Sequence, residues 1–158
     1  MKPFFQPRVL IAALALALSC AAAQADMTGN WTAVARLTIH TAGEPAAQSA
    51  RGAQLVQEAM RRADQAARRA NGSGNSARGE STQRREAAVA IAAYAILEHL
   101  YPEQQIDLEV KLAVSLADLP ENAAKAEGLV IGRRSAAEVL GSNPVIEHRA
   151  AAEVLSTK

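Results

Sequence analysis

The sequence predicts an all-α protein, a single bundle of about five to six helices behind a cleaved signal peptide. Three observations predict it. Ala supplies 37 of the 158 residues, and Ala is the best helix former and is depleted from strands. Apolar residues recur at steps of three and four through most of the chain, the signature of helices with one buried face. Beyond residue 25 the longest apolar run is Ala87 to Leu97, well short of the roughly 20 residues that a membrane-spanning helix needs.

The N-terminal segment reads as a targeting signal. Met1 to Arg8 is basic, Val9 to Leu18 is apolar, and Ala23-Gln24-Ala25 offers a small-x-small cleavage site. Cleavage after Ala25 leaves a chain that starts at Asp26 and is destined for the periplasm or the medium. Cys20 suggests a rival lipoprotein site, which the spacing disfavours because Leu18 stands one place too near the thiol. Without Cys20 the mature chain has no cysteine and no disulfide. Residues 26–158 then suffice for one helical domain.

Within it, a first helix is expected from about Asn30 to Thr41, capped by Thr28 or Asn30 and ended by Gly43 and Pro45, with Trp31, Val34, Leu37 and Ile39 apolar. A second runs from about Pro45 to Ala70. Its stripe is Leu55, Val56, Ala59, Met60, Ala63, Ala66, Ala67 and Ala70. Glu58 with Arg62, and Asp64 with Arg68, are favourable i,i+4 pairs on its wet face. Residues 71–80, rich in Gly, Asn and Ser, predict a mobile loop. The third helix follows from about Thr82 to Leu100 and stops at Pro102.

The segment Ile106 to Leu116 alternates strictly, which by period alone means strand. Yet Gln104, Asp107, Lys111, Ser115 and Asp118 share one narrow helical face, and the chain offers no partner strand. A largely buried helix is the expectation. A fifth helix covers about Asn122 to Leu140, with Gly128 and Gly132 placed for close approach by another helix, and a short last helix takes Val145 to Leu155.

Charge excludes some functions. Removing Lys2 and Arg8 with the signal leaves the mature chain near −1, which argues against a phosphate-driven nucleic-acid binder. Charge is unevenly spread, with eight Arg against four acids between Arg51 and Glu86 and an acidic excess beyond. Arg61, Arg62, Arg68 and Arg69 stand among acids and read as a solvated helix face. His40, His99 and His148 lack metal-ligand spacing, and neither a nucleophile elbow nor a phosphate-binding loop occurs. No catalytic, cofactor-binding or metal-binding residue is assigned, and no cofactor is implied. Arg78, Arg84 and Arg85 beside the loop are the one cluster worth considering for weak anion capture.

Four segments taken together carry a resemblance. Gln54 to Met60 (QLVQEAM), Glu86 to Pro102 (EAAVAIAAYAILEHLYP), Leu112 to Pro120 (LAVSLADLP) and Ala123 to Leu140 (AAKAEGLVIGRRSAAEVL) resemble the N-terminal helical region of secreted bacterial vanadium-dependent haloperoxidase-like proteins, relatives of the type-2 phosphatidic acid phosphatases. The likeness spans about Trp31 to Leu140. It departs at Gln57, where relatives tend to carry His, and at Arg61-Arg62-Ala63-Asp64, where they carry an aromatic-Asp-Ala-Val-Asn run.

The resemblance implies an oxyanion site built by a later helical region bearing K-x6-R-P, P-S-G-H and S-R-x5-H-x3-D. None of these occurs in this sequence, the nearest approach being Lys125 to Arg133 with Arg134 in the place of Pro. The chain therefore looks like the helical front half of that family. It is expected to be a non-catalytic helical domain, truncated or stand-alone, that alone neither oxidises halide nor hydrolyses phosphomonoesters. Two alternatives stand beside this: half of a split enzyme completed by a separate catalytic chain, and a periplasmic helical interaction module. The expected partners are that separate chain or further copies of itself, with no nucleic acid and no membrane after signal cleavage.

Overall fold

The computed structural model describes residues 26–71 and 78–142. The expected signal segment with Cys20, residues 72–77 of the expected loop, His148 and the expected last helix at Val145 to Leu155 lie outside the described residues. Among those described there are five α-helices and one 3-10 turn, with no strand: α1 (Met27–Ala42), α2 (Ala46–Asn71), α3 (Arg78–Leu100), the 3-10 turn Pro102–Gln104, α4 (Gln105–Ala117) and α5 (Ala123–Gly141). None is long and apolar enough to cross a membrane.

The axis of the bundle is α3, which packs against the other four helices. A helix buried nearly all round needs apolar side chains on every face, and the alanines of α3 supply them with little bulk. Ala87, Ala88, Ala90, Ala92 and Ala93 are fully buried, as are Ile96 and Leu97. Small side chains let neighbours approach closely, and α5 does so through glycine. A Cβ on Gly128 would overlap the Arg84 carbonyl oxygen and lie 2.9 Å from Ala87 Cβ. One on Gly132 would overlap the Ala88 carbonyl oxygen and Ile91 Cγ2. The close approach is the one the Gly128 and Gly132 spacing leads one to expect, and because the two contacts advance together along both helices, α3 and α5 run in the same direction.

The larger apolar side chains fill the other side of α3. Trp31 on α1, Val56 and Met60 on α2, and Leu108 on α4 are each at most 2% exposed. Trp31 Nε1 is enclosed with no hydrogen-bond partner. Gly43 closes α1 in the left-handed region at φ 64°, its N–H donating to His40 O, the glycine-ended geometry expected from sequence. Tyr101, held just past α3, donates its hydroxyl to Glu44 at 3.1 Å, and Gln104 donates to the Thr38 carbonyl at 3.0 Å. These bonds tie the α3–α4 corner to α1 and the start of α2.

Three expectations need correction. Helix α1 begins at Met27, three residues before the expected start, with Asp26 as its N-cap and no side-chain capping bond. Its buried members are Trp31, Ala35, Thr38 and Ile39, whereas Leu37 is 58% exposed. Helix α3 begins at Arg78, so residues 78–80 of the expected loop are helical. There Ser81 and Thr82 hydroxyls donate to the Arg78 carbonyl within the first turn, and Gly79 is an exposed residue of that turn with nothing within 4 Å of its Cβ position. The third correction concerns α4. It is a helix as expected, yet only Leu108 is buried.

Candidate interaction surface

The exposure of α4 follows from its alternating sequence. Successive residues of an α-helix are turned by about 100°, so residues two apart point in nearly opposite directions. A strictly alternating stretch therefore yields two i,i+4 series on opposite faces. Leu108 faces the core, with Leu112 and Leu116 partly buried behind it. Ile106, Val110 and Val114 point away and are 77%, 58% and 66% exposed. The polar stripe inferred from sequence is only partly the wet face: Asp107 and Asp118 are exposed, while Gln104, Lys111 and Ser115 are half-buried. Exposed carboxylates flank the outward apolar series at Asp107 and Glu109, with Glu103 at its N-terminal end.

A polar clamp fixes the C-terminal end of α4. Asn122 caps α5 by accepting from the Lys125 backbone N–H at 3.0 Å, and its amide donates to Gln83 of α3 at 2.7 Å. The buried Lys125 ammonium donates to the carbonyls of Leu116 at 2.8 Å and Leu119 at 3.2 Å, and pairs with Glu121. The Leu116 carbonyl also accepts the Leu119 backbone N–H, and a cation on the last carbonyls of a helix is further favoured by the helix dipole. Helix α4 is thus anchored on one face while its other face stays bare.

A second feature lies on the α2 and α5 side of α3. There a groove of about 710 Å³ has Arg61, Arg62 and Arg69 along its α2 wall and Arg134 on its α5 wall. Ala66, Ala70 and Ile131 lie between them. Glu127 and Glu138 also reach the groove, so four arginines face two carboxylates. Glu58 binds both Arg61 and Arg62, and these guanidinium hydrogen bonds hold its carboxyl below the usual range. The expected pairs Glu58 with Arg62 and Asp64 with Arg68 are both present. Val130, on the same helix as Ile131, is 68% exposed.

Between the starts of α1 and α3 lies a smaller polar cleft with Asp26, Asp64, Arg85 and Glu86 in its lining. Burial raises the Asp64 carboxyl, but hydrogen bonds from Arg68 and Arg85 outweigh it and the net shift is downward. Glu86 is pushed up, first by burial and then by the neighbouring Asp26 carboxylate, with Arg85 pulling the other way. Tyr94 is raised to about 12 by burial and by its hydrogen bond to Glu98. Among the described residues no group of three or more His, Cys, Asp and Glu is arranged to hold a metal. His40 and His99 are both exposed in the last turns of their helices.

The three arginines considered for anion capture diverge. Arg78 is exposed at the first turn of α3. Arg84 is buried and donates to Glu127 of α5 at 2.7 Å, beside the close approach at Gly128. Arg85 donates to Asp64 of α2 at 2.6 Å. Arg84 and Arg85, adjacent in sequence, therefore pin α3 to two different helices. The outward face of α4 escaped the sequence reading, although its signal, the strict alternation, was in plain view. Comparison with models of protein families, with curated proteins and with solved structures returns no match.

Proposed function

We propose that this chain is an exported, non-catalytic helical domain, similar in kind to the front half of a haloperoxidase-like protein, whose work is to dock on further polypeptide. The observation that carries this reading is the bare apolar series Ile106, Val110 and Val114 on a helix whose opposite face is already packed. Scattered apolar residues are normal on a surface, but an aligned series bounded by charges marks an interaction site. Burying a large aliphatic side chain is worth about 1.5–3 kcal/mol, so docking three of them supplies a useful part of an interface. Export rests on the basic, apolar and Ala-x-Ala organisation of residues 1–25.

The test is a triple replacement, Ile106→Gln with Val110→Gln and Val114→Gln. If the face serves docking, the variant keeps the wild-type melting temperature and loses binding of a hydrophobic dye such as ANS. A melting temperature lowered by many degrees would place the face inside the fold and end this reading.

A further inference from the structure

We infer that the occupant of the outward α4 face is a second copy of this chain, which receives it in the arginine-walled groove between α2 and α5. The inference rests on the docking role just proposed and adds the identity of the partner. Three observations on the two surfaces support it.

The first is charge. The α4 face is edged by Glu103, Asp107 and Glu109, all exposed, while Lys111, the lysine of the same helix, is turned half inward. Two α4 faces brought together would set these carboxylates against one another, and like charges across an interface select against that pairing. The groove has the opposite sign, four arginines against two glutamates. Acidic flanks also oppose an anionic lipid surface.

The second is length. Ile106 to Val114 covers eight residue steps, or about 12 Å of helix at 1.5 Å per residue. Arg61 to Arg69, the arginine wall, covers the same eight steps. The outward series therefore spans the wall without overhang.

The third is the groove floor. Ala66, Ala70 and Ile131 are partly exposed between the charged walls, so branched side chains entering there meet apolar atoms and small residues. The acidic flanks then fall beside guanidinium groups. Several of these arginines already hold Glu58 or Glu138, and an incoming carboxylate completes a network rather than meeting a bare cation.

Because donor face and acceptor groove are different surfaces of one molecule, the contact is heterologous. Such a contact grows into rings or open chains instead of stopping at a two-fold dimer. With a small apolar centre and a charged edge, the association is weak and weakens as salt screens the edge.

Sedimentation velocity of the purified protein over two decades of concentration tests this, with circular dichroism confirming that each variant stays helical. Wild type is expected to exceed dimer mass as concentration rises, and to dissociate with added salt. Val110→Glu blocks the face, and Arg69→Glu with Arg134→Glu blocks the groove; each alone is expected to be monomeric. Mixed, they retain one intact surface each and are expected to form a 1:1 dimer that grows no further. Should the groove variant lose helicity, Arg69→Ala with Arg134→Ala takes its place. A wild type that stays monomeric throughout overturns self-association, and so does a mixture that fails to pair. So does a closed dimer that Val110→Glu breaks and the groove variant leaves intact. Monomeric wild type whose binding to phosphatidylcholine vesicles vanishes in Val110→Glu would make the occupant a lipid surface and overturn it too. In these outcomes the docking reading fails separately, only if glutamines on the α4 face lower the melting temperature.

Discussion

Replacing Gly132 by Ala tests the α3–α5 seam that holds the bundle together. In an open helix this change is favourable by about 1 kcal/mol, since Ala is the better helix former. Here the added Cβ collides with the Ala88 carbonyl oxygen and with Ile91 Cγ2. The carbonyl belongs to helical backbone and cannot turn aside, so α5 must retreat by roughly 1 Å. A gap of that size forfeits about a quarter to a half of each van der Waals contact it opens, and overpacking a close seam costs about 1–3 kcal/mol. Setting about 3 kcal/mol of lost packing against the helix gain leaves a net loss of about 2 kcal/mol. For a domain of this size that lowers the melting temperature by roughly 6–10 °C. Gly29→Ala is the control, because nothing lies within 4 Å of its Cβ position, and it should be neutral or stabilising. Thermal unfolding followed at 222 nm reads both. Gly132→Ala melting at or above wild type would refute the close approach of the two helices.

Leu112→Asp should destabilise by several kcal/mol, since it puts a charge against the core cluster, whereas Lys111→Ala should be nearly silent; urea midpoints compare the two. Lys125→Met should cost about 1–3 kcal/mol by removing the buried ammonium that donates to both the Leu116 and Leu119 carbonyls, with Lys125→Arg recovering part of the loss in the same assay. Glu86→Gln should raise stability at neutral pH. The Glu86 carboxyl titrates higher in the fold than in the unfolded chain, so its ionisation removes stability as pH climbs through the carboxylate range. The gain should fade below the unfolded value, where both states are protonated. Asp64 has the opposite sign, its lowered carboxyl contributing stability above the unfolded value and losing it as pH falls through the folded one. Melting temperature against pH for wild type, Glu86→Gln and Asp64→Asn separates the two.

The sequence revealed helices most clearly where one face alone is apolar. Helix α2 shows this, its buried Val56, Ala59, Met60, Ala63 and Ala67 all belonging to the stripe read from spacing. The start of α3 was obscured because Arg78, Gly79 and Glu80 have a loop-like composition; all three are exposed, and the local bonds there are those from the Ser81 and Thr82 hydroxyls to the Arg78 carbonyl. In α1, Val34, Leu37 and Ile39 cannot all face inward at 100° per residue, and the position of Trp31 decides which side wins. The surface proposed for docking was hidden for a different reason. Alternation in α4 satisfies a core and an outer face equally, and the choice between them is made by which side α3 occupies. Arg84 and Arg85, neighbours in sequence, looked like one cluster; the rotation of about 100° between successive helix residues sends them to Glu127 and Asp64.

The alanine axis of α3 also shapes how this protein can vary. A single base change in an alanine codon yields Val, Thr, Ser, Pro, Gly, Asp or Glu, and none of these is an apolar side chain of the same size. At Ala87, Ala88, Ala90, Ala92 and Ala93, all fully buried, each accessible replacement adds volume, introduces polarity or breaks helix. Cores built from Leu and Ile can drift among residues of similar volume at modest cost, a neutral route closed to these five positions. Tolerated variation should collect on α2 and on the outer side of α5, and a saturation scan of α3 should show that almost nothing but alanine survives at these five positions.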